Sequence, residues 1–197
     1  QVLCRQPRSR CVNLAYRQVE RGYLQTADAF IFNSAATRDQ VRQLVGETQP
    51  HCVARPAGSR LGALSSPGPI AERSRQRGPL ELLFVGHLSP VKGLAALLTA
   101  LARVPREIWR LTLVGDMLAD RRGRCDARAI IAAHGLKGQV TFRGRLDGDE
   151  LKAVCSRSHV FAMPFAQEGF GIAALEAMGF GLPVIGSSAG GVREFVR

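Results

Sequence analysis

The sequence predicts an α/β fold built on a parallel sheet. Short apolar runs alternate along the chain with longer amphipathic stretches, as strands joined by crossover helices do. Those runs end at turn-forming residues: Asn33-Ser34 after Phe32, Gly86 after Val85 and Gly115 after Val114. The third observation is compositional. At 197 residues, 46% hydrophobic and 22% charged, the chain can bury a core, which excludes a disordered tail or a collagen-like fibre.

The elements follow in order. Residues 12–26 read as a helix ending near Thr26. Phe30-Ile31-Phe32 reads as a buried strand, and Ser34 is placed to cap a helix over about 35–45 that Gly46 ends. His51–Ala54 is a short strand candidate. Residues 62–79, rich in Gly, Pro, Ser and Arg, read as a linker. Beyond them come strand Leu80–Val85, a helix over about 92–102, strand Leu111–Val114 and a helix near 125–134 ended by Gly135. Strand Val140–Phe142, a short helix over 147–155 and strand His159–Met163 follow. The pattern closes with a helix over about 170–178, strand Pro183–Ile185 and a helix from Gly191. No run of 18 apolar residues is present, so no transmembrane helix is expected. The start at Gln1, without Met or an apolar leader, and the stop at Arg197 point to an excised piece with no signal peptide.

Lys plus Arg number 27 against 16 Asp plus Glu, a formal net charge of +11. The excess is densest near the start, at Arg5, Arg8, Arg10, Arg17 and Arg21. Such a surface suits phosphates or anionic headgroups, though most charge runs are solvated faces. Aromatics are 6%, and no zinc-finger, RNP-type or helix-turn-helix signature occurs, so nucleic acid is not an expected partner. The five cysteines (Cys4, Cys11, Cys52, Cys125, Cys155) are odd in number and lack a C-x-x-C pair. They read as reduced thiols in a cytoplasmic setting.

Ligands of an open parallel sheet bind beyond the carboxyl ends of its strands, and two such ends carry chemistry. After Val85 comes Gly86-His87-Leu88-Ser89-Pro90-Val91-Lys92-Gly93. Gly86 allows close backbone approach, and Lys92 beside a helix N-terminus suits a phosphate, with His87 as a further donor. A plain turn with a solvated Lys is the competing reading, and the loop is no Walker motif. The second end is Pro164 to Gly179, where Glu168 sits on a Gly-rich loop and a helix opens near Phe170-Gly171. Glu176 is acidic within an otherwise apolar helix and needs partners. Two ribose hydroxyls or an Arg would serve. Asp147-Gly148-Asp149 has the letters of a metal-binding acidic pair but reads better as a helix N-terminal turn.

Taken together, these runs resemble the C-terminal, donor-binding domain of family 4 retaining glycosyltransferases of the GT-B fold. The matching pieces are F-V-G-H-L-S-P-V-K-G-L (84–94), L-V-G-D (113–116), V-T-F-R-G (140–144), E-G-F-G-I-A-A-L-E (168–176), A-M-G-F-G-L-P-V-I-G-S (177–187) and A-G-G-V-R-E (189–194). Residues 23–38 and 55–61 resemble the end of that family's N-terminal domain. The resemblance implies a Rossmann-like sheet with flanking helices, incomplete at both ends. It divides the chain into an acceptor-domain remnant over 1–61, a linker over 62–79 and a donor-binding domain over 80–197.

By that resemblance Lys92 binds the donor diphosphate and Gly86 borders the cleft. His87 stands where the family usually has Arg. Glu176 bonds the ribose hydroxyls, and Glu168 holds hydroxyls of the transferred sugar. Gly169, Phe170, Gly171 and Ile172 offer backbone contacts, and Arg143 lies at the base-binding edge. Glu168 and Lys92 are the catalytic candidates. The implied activity is retaining, metal-independent hexosyl transfer from a nucleotide-diphosphate sugar to a glycan or lipid-linked acceptor, with no cofactor. Peripheral contact with an anionic membrane at its inner face accompanies it. The alternatives are a truncated, non-catalytic nucleotide-sugar-binding module and a GT-B relative such as an epimerase. The piece alone is expected to bind a nucleoside diphosphate weakly and turn over poorly.

Overall fold

The computed structural model describes residues 10–46, 49–56, 61–62, 68–116 and 120–196. It divides into two compact units. The first comprises residues 1–57, 167–171 and 189–197, and the second residues 58–166 and 172–188. The sequence reading has one boundary near residue 61. By contacts, two short pieces from late in the chain cluster with the first unit.

The first unit holds helix α1 (Arg10–Gln25), strand β1 (Phe30–Phe32), helix α2 (Ala35–Val45) and strand β2 (His51–Val53). β1 and β2 pair in parallel, Phe30 opposite His51 and Phe32 opposite Val53. Phe32 is buried and stacks on Phe30. α2 begins where expected because the Ser34 hydroxyl oxygen accepts a hydrogen bond from the Thr37 backbone N–H, replacing a partner that helix geometry leaves missing. It ends at Gly46, which takes φ +85° and returns its N–H to the Arg42 carbonyl. On α1, Arg17 and Arg21 are exposed, as are Tyr16, Val19 and Tyr23. Arg5 and Arg8 lie outside the described residues.

The second unit contains helix α3 (Gly68–Arg75), strand β3 (Leu80–Val85), helix α4 (Leu94–Leu101), strand β4 (Trp109–Val114) and helix α5 (Arg121–Ala133). Strand β5 (Val140–Gly144), helix α6 (Gly148–Arg157), strand β6 (Val160–Met163), helix α7 (Ile172–Gly179) and strand β7 (Val184–Gly186) complete it. The five strands form one parallel sheet in the order β5-β4-β3-β6-β7. The expected α/β fold with a Rossmann-like sheet is therefore what the chain adopts. The order runs outward from β3 on one side and onward from β6 on the other, so the topology switches between these two neighbours.

Burial explains why these runs are strands and helices. Leu82, Leu83 and Phe84 are all buried, the uniform pattern of a strand covered on both faces. Leu94, Leu97, Leu98 and Leu101 make an i, i+3, i+4, i+7 stripe on α4 and are all buried. Each such side chain contributes about 1.5–3 kcal/mol when fully buried. β4 begins two residues before the expected position because Trp109 is drawn into the core at 2% exposure. α5 begins at Arg121 because the Asp120 carboxylate accepts from the Gly123 N–H at 3.0 Å. No helix among the described residues is long and apolar enough to cross a membrane.

The segment read as a linker contains α3, with residues 63–67 lying outside the described ones. Composition hides this helix because long-range bonds hold it. Arg73 is 5% exposed and donates to the carbonyls of Ser156 (3.1 Å), Phe180 (2.9 Å) and Gly181 (3.2 Å). These acceptors lie at or just past the C-terminal ends of α6 and α7, where helices leave carbonyls unsatisfied and favour a cation. His159 reinforces the joint: its Nδ1 accepts from the Glu81 N–H at 3.0 Å, which leaves Nε2 to donate to the Arg73 carbonyl at 3.2 Å.

Candidate functional site

The loop after β3 is held by backbone contacts that only glycine permits, at Gly93 and Gly123, whereas Gly86 leaves ordinary van der Waals room for a Cβ. Gly86 follows β3 and donates its N–H to the Val114 carbonyl at 2.9 Å. A Cβ placed on Gly86 would stand 3.9 Å from Lys92 Cδ and 3.5 Å from Met163 Sδ. The Lys92 stem therefore lies back across Gly86, between β3 and the end of β6. Lys92 ends a short 3-10 turn over Pro90–Lys92. Gly93, at φ +77°, follows it, and a Cβ there would lie 1.8 Å from the Pro164 carbonyl oxygen. The Ala166 N–H donates to the Val91 carbonyl at 2.8 Å. The loops after β3 and β6 are thus locked to each other on both sides of Lys92. α5 presses on the same loop, since a Cβ on Gly123 would overlap the Leu88 carbonyl.

Of the residues singled out from the sequence, Gly86 and Lys92 are in direct apposition. His87 is exposed. Arg143 is exposed near the carboxyl end of β5, at the sheet's edge and two strands from β3. Glu176 sits in the second turn of α7 at 3% exposure. α7 opens at Ile172, two residues later than expected, because Gly171 takes φ +97° and cannot continue a helix from Phe170. Ile172 is itself exposed. Behind α7, burial pushes the Cys155 thiol up to about 11, helped by the negative charge of Glu176 and opposed by Arg73. That thiol stays protonated and inert at neutral pH. Cys52, Cys125 and Cys155 are free, as expected of reduced thiols, whereas Cys4 and Cys11 fall outside the described side chains.

Asp147 occupies the N-cap position of α6, and Asp149 in its first turn pairs with Lys152 at 2.9 Å. The acidic pair is the helix turn the sequence suggested. Among the described residues, no group of three His, Cys, Asp or Glu side chains is arranged to hold a metal ion.

Glu168, Gly169, Phe170 and Gly171 belong to the first unit. There the Ser34 hydroxyl donates to the Gly169 carbonyl at 2.6 Å, and the Glu168 carbonyl accepts from the Gly191 N–H at 3.1 Å. Phe170 is buried against Phe195, ring centroids 5.1 Å apart. Glu194 closes the arrangement. Its carboxylate accepts from the N–H groups of Ala35 (2.7 Å) and Ala36 (3.3 Å) at the start of α2 and from Arg55 Nε (2.6 Å). Ser34 reads from sequence only as a helix cap and Glu194 only as the last letter of a motif. The signal available was A-G-G-V-R-E, where paired glycines announce a close backbone approach without naming its partner.

Partial burial acts to raise the Glu194 pKa. The bonds from Arg55, Ala36 and Ala35, with the Arg55 charge, outweigh it and hold the carboxyl below its ordinary value. A carboxyl depressed in the folded state adds stability above its unfolded pKa and loses that contribution as pH falls through the folded value. Glu194→Gln should therefore cost about 1 kcal/mol at pH 7, as loss of a helix-capping group does. Thermal melts should show the gap between the two proteins constant down to about pH 4.5 and shrinking below it. A gap unchanged at pH 3 would mean the charge does not act there.

Comparison with known proteins decides the family. Residues 70–197 match the family described as "Glycosyl transferases group 1". The chain belongs to that family. This group 1 glycosyl transferase chain is 32% identical over 185 residues to a glycogen synthase of Mycobacterium tuberculosis, covering 90% of this chain and 42% of that protein. It is 31% identical to a D-inositol 3-phosphate glycosyltransferase of Rhodococcus jostii, covering 93% and 42%. Among solved structures, the Anabaena protein HepE, in complex with UDP and glucose, superposes with a TM-score of 0.77 at 26% identity over 93% of this chain and 50% of HepE. The chain therefore spans about two fifths of the length of these curated relatives. The sequence resemblance to GT-B glycosyltransferases holds.

Proposed function

We propose that this chain is the donor-binding part of a retaining, metal-independent glycosyltransferase. It takes a nucleoside diphosphate sugar and passes the hexose to a glycan or lipid-linked acceptor. The observation that carries this reading is the Lys92 stem lying across Gly86 at the topological switch between β3 and β6. A diphosphate placed there meets an ammonium, and the first-turn amides of α7 carry partial positive charge. As the bond to the anomeric carbon breaks, negative charge grows on the leaving diphosphate, and fixed positive groups stabilise that charge without reorganising.

Glu176 is assigned to the ribose hydroxyls, for which an ionised carboxylate is a double acceptor. Arg143 is assigned to the base edge, and His87 to a weaker contact with the diphosphate. Glu168 is assigned to hydroxyls of the sugar, with backbone contacts from Gly169, Phe170, Gly171 and Ile172. A cytoplasmic setting and contact of α1 with an anionic membrane face belong to the same proposal. Exposed Arg17 and Arg21 support that contact, and vesicle co-sedimentation that ignores anionic lipid content would remove it.

UDP is the first probe, because HepE was solved with it. Dissociation constants for UDP, GDP, ADP and dTDP, measured side by side by calorimetry, should show saturable binding with one base preferred. Absence of saturable binding for all four overturns the reading. Binding without any transfer by the full-length protein would instead leave a nucleotide-sugar-binding module.

A further inference from the structure

Three stretches far apart in sequence meet within the first unit: the start of α2, residues 167–171, and residues 190–195. Their contacts have no slack. A Cβ on Gly190 would stand 1.9 Å from the Glu168 carbonyl oxygen, and one on Gly191 2.3 Å from the Gly169 carbonyl oxygen. Ser34 is fully buried at the centre. Its hydroxyl oxygen accepts from the Thr37 N–H at 2.9 Å, and its single proton points to the Gly169 carbonyl at 2.6 Å, the shorter of two available acceptors. Thr37 Oγ1 reaches the same carbonyl at 3.3 Å. The residue that starts α2 is thus also the residue that fixes the peptide beside Glu168.

We propose that Ser34, supported by Thr37, is a positioning residue for Glu168, so that sugar recognition is set from the cap of α2. This rests on the assignment of Glu168 to the sugar made above. A buried hydroxyl bonded at once to a helix amide and to a loop carbonyl can hold that loop in one conformation. Its loss removes the shorter hydroxyl bond to the Gly169 carbonyl and loosens the peptide beside Glu168, which Thr37 and Gly191 then hold alone. In the proposed arrangement Glu168 holds the sugar, which UDP lacks. The effect therefore falls on the ratio of UDP-glucose to UDP affinity and not on UDP itself, whereas general loss of structure would weaken both.

The test uses the whole chain with UDP and UDP-glucose as probes. Ser34→Ala should leave UDP affinity within about twofold and move the affinity ratio about tenfold, the size of one buried hydrogen bond. Thr37→Val, which keeps the capping N–H, should move the ratio in the same direction by less, and it decides the matter should Ser34→Ala fail to fold. Glu168→Gln separates the two levels. If it leaves the ratio unchanged, the assignment of Glu168 is wrong and this inference falls with it. If it moves the ratio while both other variants leave it unchanged, the positioning role alone is overturned.

Discussion

Arg73→Met is expected to destabilise the second unit by about 3 kcal/mol, with an observed fall in melting temperature of roughly 10 °C for a domain of this size. The guanidinium is 5% exposed and serves three carbonyls, those of Ser156, Phe180 and Gly181. Met fills much of the same volume, so the loss reads the hydrogen bonds and not a cavity. Two carbonyls at the end of α7 and one at the end of α6 would be left without their donor, and a buried polar group without a partner costs about 1–3 kcal/mol. Desolvation already pulls the Arg73 pKa below its ordinary value, the direction expected of a cation whose compensation comes from carbonyl dipoles. Arg73→Lys should recover only part of the loss, because a single ammonium cannot reproduce a planar fork across two helix ends. A melt within 2 °C of the parent would show that α3 is not the fastener of these two helices.

That residue also marks where the sequence stops being readable. Strand β3 of the large sheet was legible because it is a compact, largely apolar run closed by a turn residue, Leu80–Val85 followed by Gly86. α4 was legible through its leucine stripe. α3 has no stripe. Its place is fixed by contacts about 80–110 positions along the chain, the Arg73 guanidinium foremost, which neither periodicity nor composition can register. The site divides the same way. Gly86 and Lys92 were singled out because strand ends in a parallel sheet are where chemistry collects, and the two lie side by side. Gly190 and Gly191 were visible as glycines, but the carbonyls of Glu168 and Gly169 that require them were not. Nothing local shows that residues 167–171 cluster with the first unit although they follow a strand of the second.

Lys92→Ala and Glu176→Ala should part company when UDP and uridine are compared. The Lys92 ammonium meets only the diphosphate in the proposed arrangement. Its removal should weaken UDP by roughly 30-fold, about 2 kcal/mol for a charge-assisted hydrogen bond, and leave uridine within about twofold. Glu176 meets the ribose, which both ligands share, so its removal should weaken UDP and uridine by the same factor, roughly tenfold or more. The split matters because each residue has a structural role that could mimic a functional one. Lys92 packs its stem on Gly86, and Glu176 is buried in α7 where its charge is felt by Cys155. A purely structural defect would lower both affinities together in both variants, and Glu176→Gln, which keeps the volume, would then behave as the parent. A diphosphate-selective loss in one variant and a uniform loss in the other follows only if an ammonium and a carboxylate grip opposite ends of one nucleotide. Equal behaviour of the two variants would place the nucleotide somewhere other than the switch between β3 and β6.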